Sequence, residues 1–486
     1  VTLAEVVRRL PEASLHGDAK LQVSGISHDS RRVQQGWIFA ALPGRRAHGI
    51  DFLEEALRHG AVAVLTDRQC PEKPNAVWIR TERPRPAMAE IAMALAGDPQ
   101  RELLMIGITG TNGKSTTAHL LSLILGAAGR PAAFLGTLGS VLPDGETVAS
   151  ERTTLEATDL APVLRRTLEL GGRAVAMEVS SHALVQDRVA GIRFQVAVWT
   201  NLTRDHLDFH SDMEEYFRAK RLLFDRHLAS DGRRVLPVDD EWAGRLLDDS
   251  LPGDVSWGLG HGGVHARDLD PGLAGTTFEL CIGEAVFPST LPLIGLHNVR
   301  NALAAAAAAH AAGVSGDAIC RGLSEARPLP GRLERVAEEL GFPVLVDFAH
   351  TPDGLHTVVE GLRQISDRRL IVVFGAGGDK DKGKRGPMGF AVGSHADVAV
   401  VTSDNPRSED PAVIAEAVAD GVRAAGGEPM VVLDRRQAIT RALEIADSNS
   451  LVVVAGKGHE DVQTIGEVDI PFSDQQVIRE LAQGVQ

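Results

Sequence analysis

Apolar residues in this chain gather into short runs, and longer stretches with helical spacing lie between them. Trp37–Leu42, Ala61–Thr66 and Ala76–Ile79 read as strands in the opening part. Leu103–Ile108 reads as a buried strand, followed by a glycine turn and a long apolar helix over Ser115–Ala128. A strand, a loop and a helix in that order open an α/β domain. Ala174–Val179 and Gln195–Thr200 are further strands, each leading into a polar loop, and residues 231–293 are richer in strand and turn signals. A helix is predicted over Asn298–Ala312. Beyond it, Val344–Asp347, Leu370–Gly375, Val398–Thr402, Met430–Leu433 and Leu451–Ala455 alternate with helical segments, the pattern of a doubly wound sheet.

Two joints divide this pattern: Asp98–Pro99–Gln100, and the proline-rich Arg327–Gly331. The expected fold class is α/β with three domains: a smaller N-terminal α/β domain (1–98), a central P-loop-type domain with a mostly parallel sheet (99–329), and a C-terminal doubly wound, Rossmann-like domain (330–486). A length of 486 residues agrees with that count at ~150 residues per domain.

A formal net charge of −15 argues against a nucleic-acid binder or a binder of anionic membranes. Small phosphorylated ligands need only a local cation and backbone N–H groups. Cys70, Cys281 and Cys320 are widely spaced and form no CxxC pair, which fits a reducing compartment. The opening VTLAEVVRRLPEAS has no apolar core of signal-peptide type, and Ala302–Ala312 is too short for a membrane span. A cytoplasmic protein is therefore expected.

The strongest chemical signal is Gly110-Thr111-Asn112-Gly113-Lys114-Ser115, followed by Thr116, between a strand and a helix. Glycines let backbone N–H groups curl toward phosphate oxygens, Lys114 supplies a charge, and the Ser115 hydroxyl can ligate Mg²⁺. The usual motif begins with a further glycine, where this chain has Ile108. Glu178 and His206 stand at the ends of the next two strands, where open α/β sheets place ligand sites. Together with the phosphate loop they are candidate ligands for a metal that bridges nucleotide phosphates.

Lys220 shares an apolar helical face with Met213, Phe217 and Phe224, on a helix opened by a Ser211–Glu214 capping box. A lysine there either snorkels to water or serves a purpose. Burial would favour its neutral amine, which can react with CO₂ to give an anionic carbamate. In the last third, loops at Asp347–His350, Gly377–Arg385, Asp404–Arg407 and Gly456–Asp461 end successive strands and form a candidate substrate crevice.

In these motifs the chain resembles the Mur ligase family. GITGTNGKSTT, MEVSSHAL, NLTRDHLDFH, EYFRAKRLLF, GLHNVRNALAA, PGRLERV, VDFAHTPDGL, GGDKDKGKRGPMG, TSDNPR and GKGHED occur in family order, after an N-terminal SHDSRRVQQGWIFAALPG. The resemblance implies a UDP-binding first domain, a central ATPase and a C-terminal amino-acid domain. It implies ATP contacts from Gly110 to Thr116 and from Asn301, Arg332 and Asp347. Two Mg²⁺ ions would be held by Ser115, Glu178, His206 and a carbamylated Lys220 (N6-carboxylysine), with Lys114, Glu178, His206 and Lys220 catalytic. Ser30, Thr153, Thr154, Ser181, Gln186 and Arg188 would hold UDP-MurNAc-L-Ala-D-Glu. Lys380, Asp404, Asn405, Arg407, Gly456 and Glu460 would hold meso-diaminopimelate, with Arg407 forking a carboxylate and Glu460 suited to the distal ammonium.

The implied reaction makes an amide bond through an acyl phosphate, in a monomer with no nucleic-acid or membrane partner. The family often has arginine where this chain has Lys380, and KRPLMG where it has KRGPMG. Rival readings are a sibling ligase that adds L-lysine or another amino acid, a folylpolyglutamate synthase-like ligase, a P-loop kinase or ATPase, and a non-catalytic nucleotide binder. The first 98 residues would be unexplained in a folylpolyglutamate synthase, and the loops at Asp404 and Gly456 in a kinase.

Overall fold

Three large sheets follow one another along the chain, with a two-stranded ribbon (Val462–Ile465 with Val468–Pro471) after the third, in the computed structural model, which describes residues 1–44, 47–150, 152–207, 209–249 and 251–483. Asp208, part of the NLTRDHLDFH run, lies outside the described residues. The first sheet has five strands, the second eleven and the third six, and parallel pairing dominates the centre of each. The expected α/β class holds. Ala61–Thr66 and Val344–Asp347 form strands with the predicted bounds, and the other predicted strands begin and end within a residue or two of theirs.

In the second sheet the strand Leu104–Thr109 lies between Ala174–Glu178 and Phe194–Trp199, all parallel, with Ile108 beside Glu178 and Thr109 beside Trp199. Their carboxyl ends therefore emerge at one edge, bringing the phosphate loop, the 179–181 turn and the 200–206 loop together. The third sheet repeats this logic. Val344–Asp347, Ser450–Ala455, Arg369–Phe374 and Val398–Val401 are parallel neighbours, so the loops after Asp347, Phe374, Val401 and Ala455 share an edge. The 231–293 region builds an antiparallel extension from Val264–Gly272, Gly275–Ile282 and Ala285–Leu291.

Helix Lys114–Ala127 packs against helix Leu296–Ala311, whose residues Ala302–Ala309 are all fully buried. Short side chains there let the two helices and the sheet approach closely. Among the described residues no helix is long and apolar enough to cross a membrane.

The expected cap at Ser211 is corrected by one residue. Helix Met213–Arg226 is capped by Asp212, whose carboxylate accepts the Glu215 N–H at 2.7 Å. The Glu215 carboxylate in turn accepts the Ser211 N–H at 2.6 Å. A carboxylate at the N-cap also meets the positive end of the helix dipole.

Candidate active site

Ile108, which stands where a first loop glycine was expected, is fully buried in the sheet between Glu178 and Val198. The strand thus continues to Thr109, and the tight turn needs glycine only at Gly110 and Gly113. Their φ angles are +151° and +84°, and a Cβ would lie 1.9 Å from Thr200 Oγ1 or 2.2 Å from Asn301 Oδ1. The loop is pinned from the 200–203 segment. The Asn112 N–H donates to Asn201 Oδ1 at 2.9 Å, the Thr200 hydroxyl donates to the Asn112 carbonyl at 2.7 Å, and the Thr203 N–H donates to Thr111 Oγ1 at 3.0 Å.

Lys220 does not snorkel: it is 1% exposed. Its amine donates to the Gly110 carbonyl at 2.7 Å and lies 4.5 Å from the Tyr216 ring centre. Lys114 donates to the same carbonyl at 3.0 Å and to the Thr111 carbonyl at 2.8 Å. Burial holds both lysines below the ordinary lysine range, and for Lys220 the neighbouring Lys114 charge pushes further in the same direction. Glu178, 1% exposed, is the strongest opposing charge on Lys114. Its Oε1 accepts the Thr137 N–H at 2.8 Å, and its Oε2 accepts the Thr137 hydroxyl at 3.3 Å.

His206 sits in a left-handed conformation (φ 55°) beside His182, with ring centres 5.0 Å apart. Burial brings its imidazole down to about 4, against a partial upward pull from Asp205. It is therefore neutral at physiological pH, the form that can donate a lone pair. Lys114, Glu178, His206 and Lys220 thus converge at the carboxyl edge of one sheet. A carboxylate, a neutral imidazole and the buried Ser115 hydroxyl offer a donor set that fits a divalent cation.

The sugar-peptide candidates adjoin Glu178. Thr137 Oγ1 donates to Thr153 Oγ1 at 3.0 Å, and the Thr154 hydroxyl donates to the Glu178 carbonyl at 3.0 Å. Arg188 donates to the Thr154 carbonyl at 3.2 Å and to Gln186 Oε1 at 2.6 Å. Ser181 Oγ lies 3.0 Å from His210 Nε2. Ser30 stands apart in the first domain, where its hydroxyl bonds Glu55. Arg32, two residues on, reaches across to Asp159 at 2.7 Å and ties that segment to the second domain.

Across the phosphate loop, Gly113 packs on Asn301, which donates to Asn298 Oδ1 at 3.1 Å. The Asp347 carboxylate accepts the N–H groups of Leu333 and Ala349, both at 2.8 Å, and Arg332 lies 4.8 Å over the Phe348 ring. The Asn112 amide donates to Asp353 at 3.1 Å, so the third domain touches the loop directly.

A cavity of about 450 Å³ opens between the domains, lined by His206 on one side and by Lys380, Asp404, Asn405, Arg407, Gly456 and Glu460 on the other. Arg407 (φ 52°) spends one guanidinium N–H on the Gly378 carbonyl at 2.7 Å. Among the described residues it forms no ion pair. Gly456 has φ +115°, and a Cβ there would lie 2.6 Å from Asp404 Oδ2. Lys380 is exposed at the rim.

Glu460, expected to meet an ammonium, already has one. Lys457 Nζ lies 2.9 Å from its carboxylate and donates to Asn405 Oδ1 at 3.1 Å. Lys457 is fully buried, and sequence reasoning gave it no role. Its place two residues before a loop histidine carried no hint of burial. Lys384 and Asp205 were missed too. Lys384 donates to the His350 carbonyl at 3.2 Å, and burial lowers its amine despite the nearby Asp205 charge.

Family models for the Mur ligase middle domain, the Mur ligase glutamate ligase domain and the Mur ligase family catalytic domain match residues 108–309, 331–458 and 22–95. The chain is 42% identical over 478 residues to a UDP-N-acetylmuramoyl-L-alanyl-D-glutamate–2,6-diaminopimelate ligase of Solibacter usitatus, covering 98% of this chain and 97% of the relative. A Streptomyces coelicolor protein of the same name is 43% identical over 490 residues, with coverage of 98% and 96%. A solved structure with that ligase name superposes with a TM-score of 0.70 at 32% identity, over 100% of this chain and 99% of the other. The fold alone is shared with a MurF ligase of Thermotoga maritima in complex with ADP, at a TM-score of 0.64, 17% identity and coverage of 96% and 97%. Matched across all three sheets and along nearly its whole length, this chain belongs to the Mur ligase family.

Proposed function

We propose that this enzyme is the ATP-dependent ligase that adds meso-diaminopimelate to UDP-MurNAc-L-Ala-D-Glu in peptidoglycan precursor synthesis. The carrying observation is one juxtaposition. The amines of Lys114 and Lys220 meet at the Gly110 carbonyl beside Glu178 and His206, and the cavity that His206 borders holds Arg407 on its far wall. Residues 1–98 take the nucleotide-sugar end, 99–329 take ATP, and 330–486 take the amino acid. The enzyme works as a cytoplasmic monomer, where UDP-linked precursor and ATP are both available.

The γ-carboxylate of D-glutamate attacks the γ-phosphorus of ATP, and ADP leaves. The diaminopimelate amine then attacks the acyl phosphate carbonyl, loses a proton and expels phosphate. Lys114 and the loop N–H groups hold the triphosphate in line, so positioning supplies much of the rate. Arg407 takes the distal carboxylate in a planar fork, and Glu460, steadied by Lys457, faces the neighbouring ammonium. The walls from Arg204–His206 and Phe348–Asp353 shield the acyl phosphate from water.

Two ammonium groups on one carbonyl, one of them fully buried, repel each other, which favours the neutral Lys220 amine. That amine adds to CO₂ and releases a proton, leaving a carbamate that pairs with Lys114. Mg²⁺, held by Ser115, Glu178, His206 and that carbamate, would supply the positive charge that brings triphosphate and carboxylate together.

A ligation assay with UDP-MurNAc-L-Ala-D-Glu, ATP and Mg²⁺, offered diaminopimelate and L-lysine in parallel, tests this. Product should form with diaminopimelate, with little ATP hydrolysed when no amino acid is present. Preference for lysine would overturn the substrate, and amino-acid-independent ATP turnover would overturn the ligase.

A further inference from the structure

On the surface of the third domain, in a groove that adjoins the cavity, three side chains with metal-binding chemistry converge without any role in ligation. Helix Pro352–Ile365 presents His356 and Glu360 one turn apart, with Nε2 and Oε2 separated by 3.3 Å. His395, just beyond helix Arg385–Gly393, brings its ring centre to 5.3 Å from that of His356. One donor atom from each of the three lies within 4.8 Å of the others.

A salt bridge explains the approach of His356 and Glu360, but not the second imidazole. His395 is held there. Arg363, two turns along from His356, donates two hydrogen bonds to the His395 carbonyl, at 3.1 and 2.8 Å, and a third to Asp397 at 2.6 Å. That clamp fixes the backbone of His395 against the helix carrying the other two donors. In a tetrahedral site with bonds of about 2.0–2.2 Å, donors stand about 3.3 Å apart. The His356–Glu360 pair already has this spacing, and a rotamer adjustment of His395 closes the other two edges.

We propose that His356, Glu360 and His395 form a second metal site, distinct from the catalytic centre, that takes a borderline transition ion such as Zn²⁺ or Co²⁺. Two imidazoles and one carboxylate select such an ion over Mg²⁺, which prefers oxygen donors throughout. Three protein ligands leave a fourth position for water, and His356 and His395 also line a shallow apolar groove of about 870 Å³ with Pro387 and Phe390. Occupancy staples together two helices whose N-terminal ends reach the active site. Asp353 begins one and accepts from Asn112, and Lys384 precedes the other and donates to the His350 carbonyl.

The test titrates Co²⁺ into the full-length, chelator-treated protein in excess Mg²⁺, following the visible absorption of a low-symmetry Co²⁺ site and the melting temperature. Wild type should bind one ion through this site and melt higher. His395→Ala and Glu360→Gln should each weaken that binding at least tenfold and abolish the melting shift. Both variants should keep Mg²⁺-supported ligation, which shows that they fold. Equal Co²⁺ binding by wild type and variants would place the ion elsewhere and overturn the proposal. Saturation only at millimolar metal, an adventitious ion only, would overturn it as well.

Discussion

Replacing Lys220 with methionine should abolish ligation and at the same time stabilise the fold. The lysine is 1% exposed, and among the described residues its amine has a single hydrogen bond, to the Gly110 carbonyl. Deleting it leaves no orphaned acceptor, because Lys114 still donates to that carbonyl at 3.0 Å. The loss is one hydrogen bond from a neutral amine, about 0.5–1.5 kcal/mol. Against it stands the desolvation of a buried ionisable group, several kcal/mol, together with repulsion from Lys114. Methionine is unbranched and of similar length, so packing changes little. The expected net gain is about 1–3 kcal/mol, or about 2–4 °C in Tm per kcal/mol for a domain of this size.

The gap also depends on pH. The folded state favours the neutral amine, whereas the unfolded lysine stays protonated up to about 10.4. The unfolded state therefore binds more protons in that window, and wild-type stability rises with pH there. The advantage of Lys220→Met should shrink as pH rises from 7 to 9.5, by at most about 1.4 kcal/mol per unit. Denaturant unfolding of both proteins without Mg²⁺ or bicarbonate, paired with the ligation assay, reads both quantities. A destabilised Lys220→Met would mean that the carbonyl contact outweighs the burial cost, and an active one would remove the carbamate from the mechanism.

Arg407→Ala should lower kcat/KM for diaminopimelate by about 2–5 kcal/mol, more than tenfold, while KM for ATP stays within about twofold; equal losses for both substrates would contradict the assignment. Gly456→Ala should destabilise the third domain by about 1–3 kcal/mol, measured by urea unfolding, because an L-residue at φ +115° is strained and its Cβ would press on Asp404. Unchanged stability there would mean that the 404 loop yields freely. Lys380→Arg should keep or lower KM for diaminopimelate in the ligation assay, since the rim position is exposed and regains a planar fork; a severe loss would show that the loop is arranged differently.

The alternation of apolar runs was enough to place the strands, because a strand buried on both faces has few polar positions to spare; Leu104–Thr109 and Ser450–Ala455 are of that kind. The phosphate loop was legible for a similar reason: Gly110 and Gly113 adopt angles that other residues resist. Lys220 was readable as an oddity, since a cation on an apolar stripe contradicts its surroundings. Its burial, however, depended on strands and helices far apart in sequence meeting at the Gly110 carbonyl.

Only the tertiary structure decided how Glu460 is used. Lys457, three residues earlier, is fully buried and pairs with it, and nothing local in Gly-Lys-Gly-His-Glu marks that lysine as internal. The convergence of Asn112 with Asp353, and of Arg363 with His395, likewise follows from how the domains and helices pack. Local pattern fixes which segments become strands and helices, because backbone geometry and burial act over a few residues. Which charges end up facing one another depends on contacts between distant segments, and those form only when the sheets assemble.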